Sequence, residues 1–236
     1  MKIIYLHHSG FIVELERMTL IFDAITNIPP HFLRKGRKNY FFVTHSHQDH
    51  FSQKILSYGS DYDTTYIFSD DIPEKGGRDI HYIAPYQKIS FPGIEIETFG
   101  STDLGVSFFV QAEGKNIFHS GDLNWWDWDT ASHPNINPEV EERDFKAVIQ
   151  KIEEQIGKHK MDVAFVPVDS RLGGSACRAA EYFIDKLHPK GPVSYTHLDV
   201  YKRQPVHRSP HLPPQGFPWP GYAQRYGGPG KHGALP

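Results

Sequence analysis

The chain has 236 residues, 39% of them hydrophobic and 14% aromatic, and a formal charge of -3. Such a length buries a core without disulfides, and the balance excludes a collagenous or wholly disordered polypeptide. The single cysteine, Cys177, makes no internal disulfide. No apolar run approaches the roughly 18 residues that a bilayer-spanning helix needs, and the opening MKIIYLHHSG lacks the apolar core of a signal peptide. The expectation is a reducing, cytoplasmic compartment with no membrane partner.

The elements follow in chain order. Residues 2–6, 11–15 and 18–23 are short β-branched and aromatic runs separated by Ser-Gly and Glu-Arg pairs, the pattern of consecutive antiparallel strands. Further strands are expected at 40–44, 65–68, 80–83, 94–98, 106–112 and 115–119, the last two joined by a tight Glu113-Gly114 hairpin. Helical periodicity appears at 51–58, 139–157 and 175–187, and Val163–Val166 between the two later helices reads as a buried strand. Many strands, then a helix, a strand and a helix, predict an α/β protein of sheets covered by helices.

A compositional break lies near residue 192. Pro205–Pro236 holds eight Pro and six Gly in 32 residues with no acidic side chain, whereas residues 1–192 carry 20 basic against 27 acidic groups, a charge of -7. Val193–Gln204 (VSYTHLDVYKRQ) can be encoded by nearly self-complementary DNA, and the string looks like a translated pair of transposon mosaic ends. The expectation is a domain over 1–191, incomplete at its C-terminus, followed by an artefactual, disordered tail over 192–236. On that reading the nearby His197 is accidental.

The chemistry concentrates after the apolar strand YFFVT, in His45-Ser46-His47-Gln48-Asp49-His50. His45 and His47 point to one side of an extended segment and can share an ion, while Asp49 and His50 at the following turn can serve a neighbouring one. A second cluster, His119-Ser120-Gly121-Asp122, ends a hairpin strand, where the Asp122 carboxylate could bridge two ions and Gly121 would permit close backbone approach.

With these two clusters the sequence resembles the metallo-β-lactamase superfamily, whose His-x-His-x-Asp-His signature stands at His45, His47, Asp49 and His50. Asp23 in LIFDA and Gly121-Asp122 match two further aspartates of its pattern. HHSGFIVEL, STDLGVSFFVQAEGKNIFHSGDLNWWDW and DVAFVPVDSRL look like a branch of metal-dependent hydrolases. The resemblance implies a four-layer αββα sandwich with two divalent metal ions, zinc before manganese or iron. Metal-assisted hydrolysis follows, with Asp49 as the catalytic proton acceptor; the fold does not decide the substrate, and the acidic body makes a small phosphodiester, lactone or ester the first choice over a polyanion. The alternative to hydrolysis is a non-catalytic metal-binding domain. Two departures stand out: no histidine occupies the stretch Gly100-Ser101-Thr102-Asp103, so that His119 or Asp103 is left to complete the first metal site, and the final histidine ligand would fall where the chain enters the break.

Lesser expectations concern the surroundings. Trp125, Asp169 and Arg171 are candidates for substrate binding, with Trp126 and Trp128 as further walls. His7 and His8 are expected to support the site without ligating. Cys177 reads as an inert small hydrophobe. The acidic body disfavours nucleic acid as a partner.

Overall fold

A computed structural model describes residues 1–73, 77 and 79–195. Two six-stranded mixed sheets stack face to face. The first comprises β1 (Lys2–Tyr5), β2 (Phe11–Glu14), β3 (Met18–Phe22), β4 (Lys38–Val43), β5 (Thr64–Ser69) and β6 (Ile80–Ile83), in that order across the sheet. The second comprises β7 (Lys88–Phe91), β8 (Ile94–Phe99), β9 (Ser107–Ala112), β10 (Lys115–His119), β11 (Val163–Pro167) and β12 (Pro192–Tyr195). β1 to β3 pair antiparallel and β3 to β6 parallel; β7 to β10 pair antiparallel and β10 to β12 parallel.

Strand parity builds the core. Phe11 and Val13, Leu20 and Phe22, and Tyr40 and Phe42 alternate toward the second sheet, where they meet Phe108, Val110, Ile117 and Phe165. Phe11 stacks on Phe165 at 4.1 Å between ring centroids. Each such ring, once buried, contributes on the order of 1.5–3 kcal/mol. The opposite parity faces outward. Phe99, Phe109, Phe118 and Val166 lie under α1 (Pro138–Ile156) and α2 (Arg178–Leu187). Asn137 caps α1 by accepting the Glu139 N–H, one of the donors that a helix start leaves unpaired.

Over the first sheet the expected helix at 51–58 is instead a 3₁₀ helix, Gln53–Ser60, which buries only Ile55. The hydroxyls of Ser57 and Ser60 donate to the carbonyls three residues back, at 2.7 Å each, and compete with an α-type ladder. The outer layer on that side is correspondingly thin.

Two strands went unanticipated. β7 is a short, half-exposed edge. β12 lies just past the expected boundary at 191: Pro192–Tyr195 pairs parallel with β11, and Tyr195 is wholly buried in the inter-sheet core. Alternation explains it, because Val193 and Tyr195 share the inward face that β11 leaves to be covered. The remainder of the expected tail, His197 included, lies outside the described residues. Among the described residues no helix is long and apolar enough to cross a membrane.

At one end of the sandwich the sheets are joined by a turn. Glu113 and Gly114, at φ +50° and +70°, form the tight β9–β10 hairpin. The Glu113 carboxylate accepts the backbone N–H groups of Glu16 and Arg17, in the β2–β3 turn of the other sheet, at 2.8 Å each. The opposite end holds the site.

Candidate metal centre

The site begins with a buried carboxylate. β3 ends at Phe22, and Asp23 follows in a left-handed conformation (φ +41°) with no solvent exposure. Its Oδ1 accepts the Thr44 N–H and its Oδ2 the Thr44 hydroxyl, both at 2.8 Å, which fixes the residue that leaves β4 for the histidine cluster. Asp23 Oδ2 also accepts from His50 Nδ1 at 2.8 Å. With Nδ1 so committed, His50 turns its Nε2 toward Asp122 Oδ1, 3.2 Å away. An outer carboxylate that sets tautomer and ring orientation is the usual support for a metal-binding imidazole.

Charge follows the geometry. Burial pushes the His50 imidazole down, but Asp122 and Asp23 on either side overcome it and hold the group well above its ordinary range. Burial pushes Asp23 up, and the flanking His50, with His119 and His45, brings it below the usual carboxylate value. His45, desolvated and next to His50, is lowered to about 4 and is therefore neutral at pH 7. Its Nδ1 lies 3.1 Å from the Thr44 hydroxyl oxygen, whose proton goes to Asp23; His45 accordingly donates there and keeps the Nε2 lone pair for a ligand.

Two groups of donors result. His45, His47, Asp103 and Asp122 each bring one ligand atom within 4.8 Å of the others, and so do His8, Asp49 and His50. Within the first, His45 Nε2 is 3.0 Å from His47 Nδ1 and 3.7 Å from Asp122 Oδ2, and His47 Nδ1 is 3.6 Å from Asp103 Oδ2. Metal bonds of about 2.0–2.2 Å place tetrahedral donors about 3.3–3.6 Å apart, so the residues present fit a divalent cation. Thr102 ties the two carboxylate loops together: its hydroxyl donates to the Asn124 carbonyl at 2.6 Å and accepts the Asn124 N–H at 2.9 Å.

The structure thus brings His45, His47, Asp49, His50 and Asp122 to one end of the sandwich, together with Asp103, the alternative to His119, and His8, expected only as a support. His119 is a correction. It is wholly buried, its Nε2 donates to the Ser9 carbonyl at 2.8 Å, and its Nδ1 accepts the Gly121 N–H at 3.1 Å, which leaves neither ring nitrogen for a cation. Its ring stacks between Phe22 (5.1 Å) and Tyr195 (5.5 Å). Gly121, at φ +53°, turns the chain so that Asp122 alone reaches the donors; a Cβ there would meet Thr44 Cβ at 2.8 Å. Tyr195 holds this turn through a hydroxyl bond to the Gly121 carbonyl.

Above the donors lies a cleft of about 380 Å³, lined by His47, Asp49, Asp103 and Asp122 and walled by Trp126 and Trp128. Trp125, expected to bind substrate, is a second correction: it turns into the helix-covered core, 5.9 Å from the Phe145 ring and under Lys146 and Arg178. In this irregular loop its neighbours take the solvent side. Arg171 also lines the cleft. The fully buried Asp169 accepts its backbone N–H and Nε at 2.9 Å, and the guanidinium lies 5.5 Å over Trp128. Cys177, half-buried beside α2, packs with the helix-covered core.

No protein-family model matches the chain, and no curated protein matches it. Solved structures do. A diiron β-hydroxylase, CmlA from Streptomyces venezuelae, aligns at 15% identity with a TM-score of 0.55 over 81% of this chain, which spans 44% of that protein's length. A protein described as a metal-dependent hydrolase, from Parabacteroides distasonis, aligns at 16% identity and TM-score 0.55, covering 82% of this chain and 80% of its own. At such identities the likeness is one of fold alone: an α/β sandwich of two mixed sheets, here with His and Asp side chains clustered at one edge.

Proposed function

We propose that the protein is a metal-dependent hydrolase of a small phosphodiester, lactone or ester. The observation that carries this reading is the convergence of His45, His47, Asp103 and Asp122 within 4.8 Å at the floor of an open cleft. These four residues would hold one divalent cation, and Asp49 and His50, with Asp122 between the groups, a second. Mixed nitrogen and oxygen donors suit zinc, manganese or iron; zinc is the first expectation. Bound there, such cations would supply Lewis acidity and bring the pKa of water toward neutrality.

The protein's own groups do the rest. Asp49, half-exposed at the cleft floor, accepts the proton of the attacking water as its oxygen bonds to carbon or phosphorus, and returns it to the departing oxygen. Arg171, held by Asp169 over the Trp128 ring, offers a cation to an anionic substrate group, and Trp126 and Trp128 form an apolar wall. A cleft of about 380 Å³ suits a small molecule. The test is metal content together with turnover of an aryl ester, a bis-aryl phosphodiester and a lactone, for the chain and for Asp49→Ala. Turnover that requires metal and disappears in the variant is expected. Bound metal without turnover on any of the three would favour the non-catalytic alternative.

A further inference from the structure

His8 lies outside the histidine cluster in sequence, yet the β1–β2 turn delivers it to the same place. Its Nε2 is 3.5 Å from Asp49 Oδ2, the edge length expected between two donors on one cation, and its ring meets that of His50 edge-on at 5.7 Å. The residue is 8% exposed and sits at φ +54°, a left-handed conformation that a non-glycine side chain adopts at a cost of about 1 kcal/mol or more.

The turn is built to hold that conformation. Leu6 N–H donates to the Gly10 carbonyl at 2.9 Å and Gly10 N–H to the His7 carbonyl at 2.7 Å. Gly10 has no space for a Cβ, which would stand 2.9 Å from the His7 carbonyl oxygen and 3.0 Å from that of Asp23. Ser9 Oγ lies 3.2 Å from His50 Nδ1, and the Ser9 carbonyl accepts from His119 Nε2, so the turn is pinned to the ligand loop on one side and to the second sheet on the other. The buried His119 thereby acquires a role: it positions the turn that carries His8.

We infer that His8 is a direct ligand of the second metal position, which it completes together with Asp49, His50 and the shared Asp122. The inference rests on the two-cation reading above. It places all but one donor of that position within the first fifty residues, so this position closes without a histidine from the C-terminal part of the chain.

The test is metal stoichiometry of the full chain by equilibrium dialysis with zinc, and the ligand-field absorption of cobalt(II) as a second readout. His8→Gly suits the left-handed backbone and leaves space for free imidazole; His8→Asn, whose side chain tolerates the same conformation, repeats the measurement if the glycine variant fails to fold. The parent chain is expected to take two equivalents. In His8→Gly one should remain tight while the other weakens by more than about a hundredfold, beyond the 10–100-fold that loss of an outer-sphere partner costs. Added imidazole should restore it, with return of the cobalt spectrum. A second equivalent that weakens less, or not at all, in both variants would overturn His8 as a ligand while leaving the two-cation reading in place. A parent chain that takes up no zinc or cobalt would overturn both.

Discussion

The two sheets bring different chemistry to the same edge. The first contributes every imidazole of the two donor groups: His8 from the β1–β2 turn, and His45, His47 and His50 from the segment after β4. The second contributes only carboxylates to them, Asp103 from the β8–β9 loop and Asp122 from the turn after β10. Its own histidine, His119, is spent on backbone groups. The centre is therefore an interface between two layers, and a cation held there is a cross-link between them.

The sharpest way to break this comparison is Asp122→Ala, which removes a carboxylate within 4 Å of both His45 and His50. Affinity should fall more than about a hundredfold for both equivalents, measured by competition with a chelating dye; loss of a single equivalent would mean that Asp122 serves one group alone. Next is Asp23→Asn. An amide cannot accept from the Thr44 N–H, the Thr44 hydroxyl and His50 together, and breaking a buried ion pair of this kind costs about 3–5 kcal/mol. Chemical denaturation of the metal-free protein should show it, with little change expected if His50 and Asp23 were not paired.

The cross-link itself predicts stabilisation. Zinc at a hundredfold excess over its dissociation constant should raise the unfolding free energy by about 2.7 kcal/mol per site, and a chelator should reverse it. Asp122→Ala should abolish most of the thermal shift. A finer distinction lies in protons. His50 is held well above its usual range and is protonated in the metal-free chain at pH 7, so a cation captured there expels a proton and binds more weakly as pH falls. His45, lowered to about 4, is already neutral and releases none. Metal titration in weak buffer at pH 7 should liberate close to one proton from this pair, and none would contradict the assignment. The smallest effect belongs to Arg171→Ala: about a tenfold rise in KM for an anionic substrate, with a neutral lactone unaffected.

Legibility in the sequence followed locality. The cluster His45–His50 was readable because four donors lie in six residues behind an apolar strand, and strand and helix positions were readable wherever apolar periodicity was strong. His8 was visible only as a supporting residue, since nothing in a Ser-Gly turn announces which sheet edge it will touch. The roles of His119 and Asp122 depended on the φ of Gly121, and those of Trp125 and Trp126 on an irregular loop that has no periodicity to read. Asp103 was weighed as an alternative to His119, and only tertiary placement puts it beside His47. β12 was obscured because it straddles the break near residue 192, although Val193 and Tyr195 carry the alternation of an edge strand.

The Glu113 carboxylate, clasping the β2–β3 turn, acquires a meaning from its distance to the chemistry. β10 is five residues long, so the clasp lies roughly 17 Å along the strand from the Gly121–Asp122 turn. Sliding one sheet over the other would change the separations of Asp103 and Asp122 from the first sheet's imidazoles all at once, and misplacements near 1 Å can cost a hundredfold in rate. Glu113 limits that slide from the far end, in the way a stop on a ruler sets the reading at its tip. The alignment of the centre is in this sense calibrated by a surface hairpin that never meets a ligand.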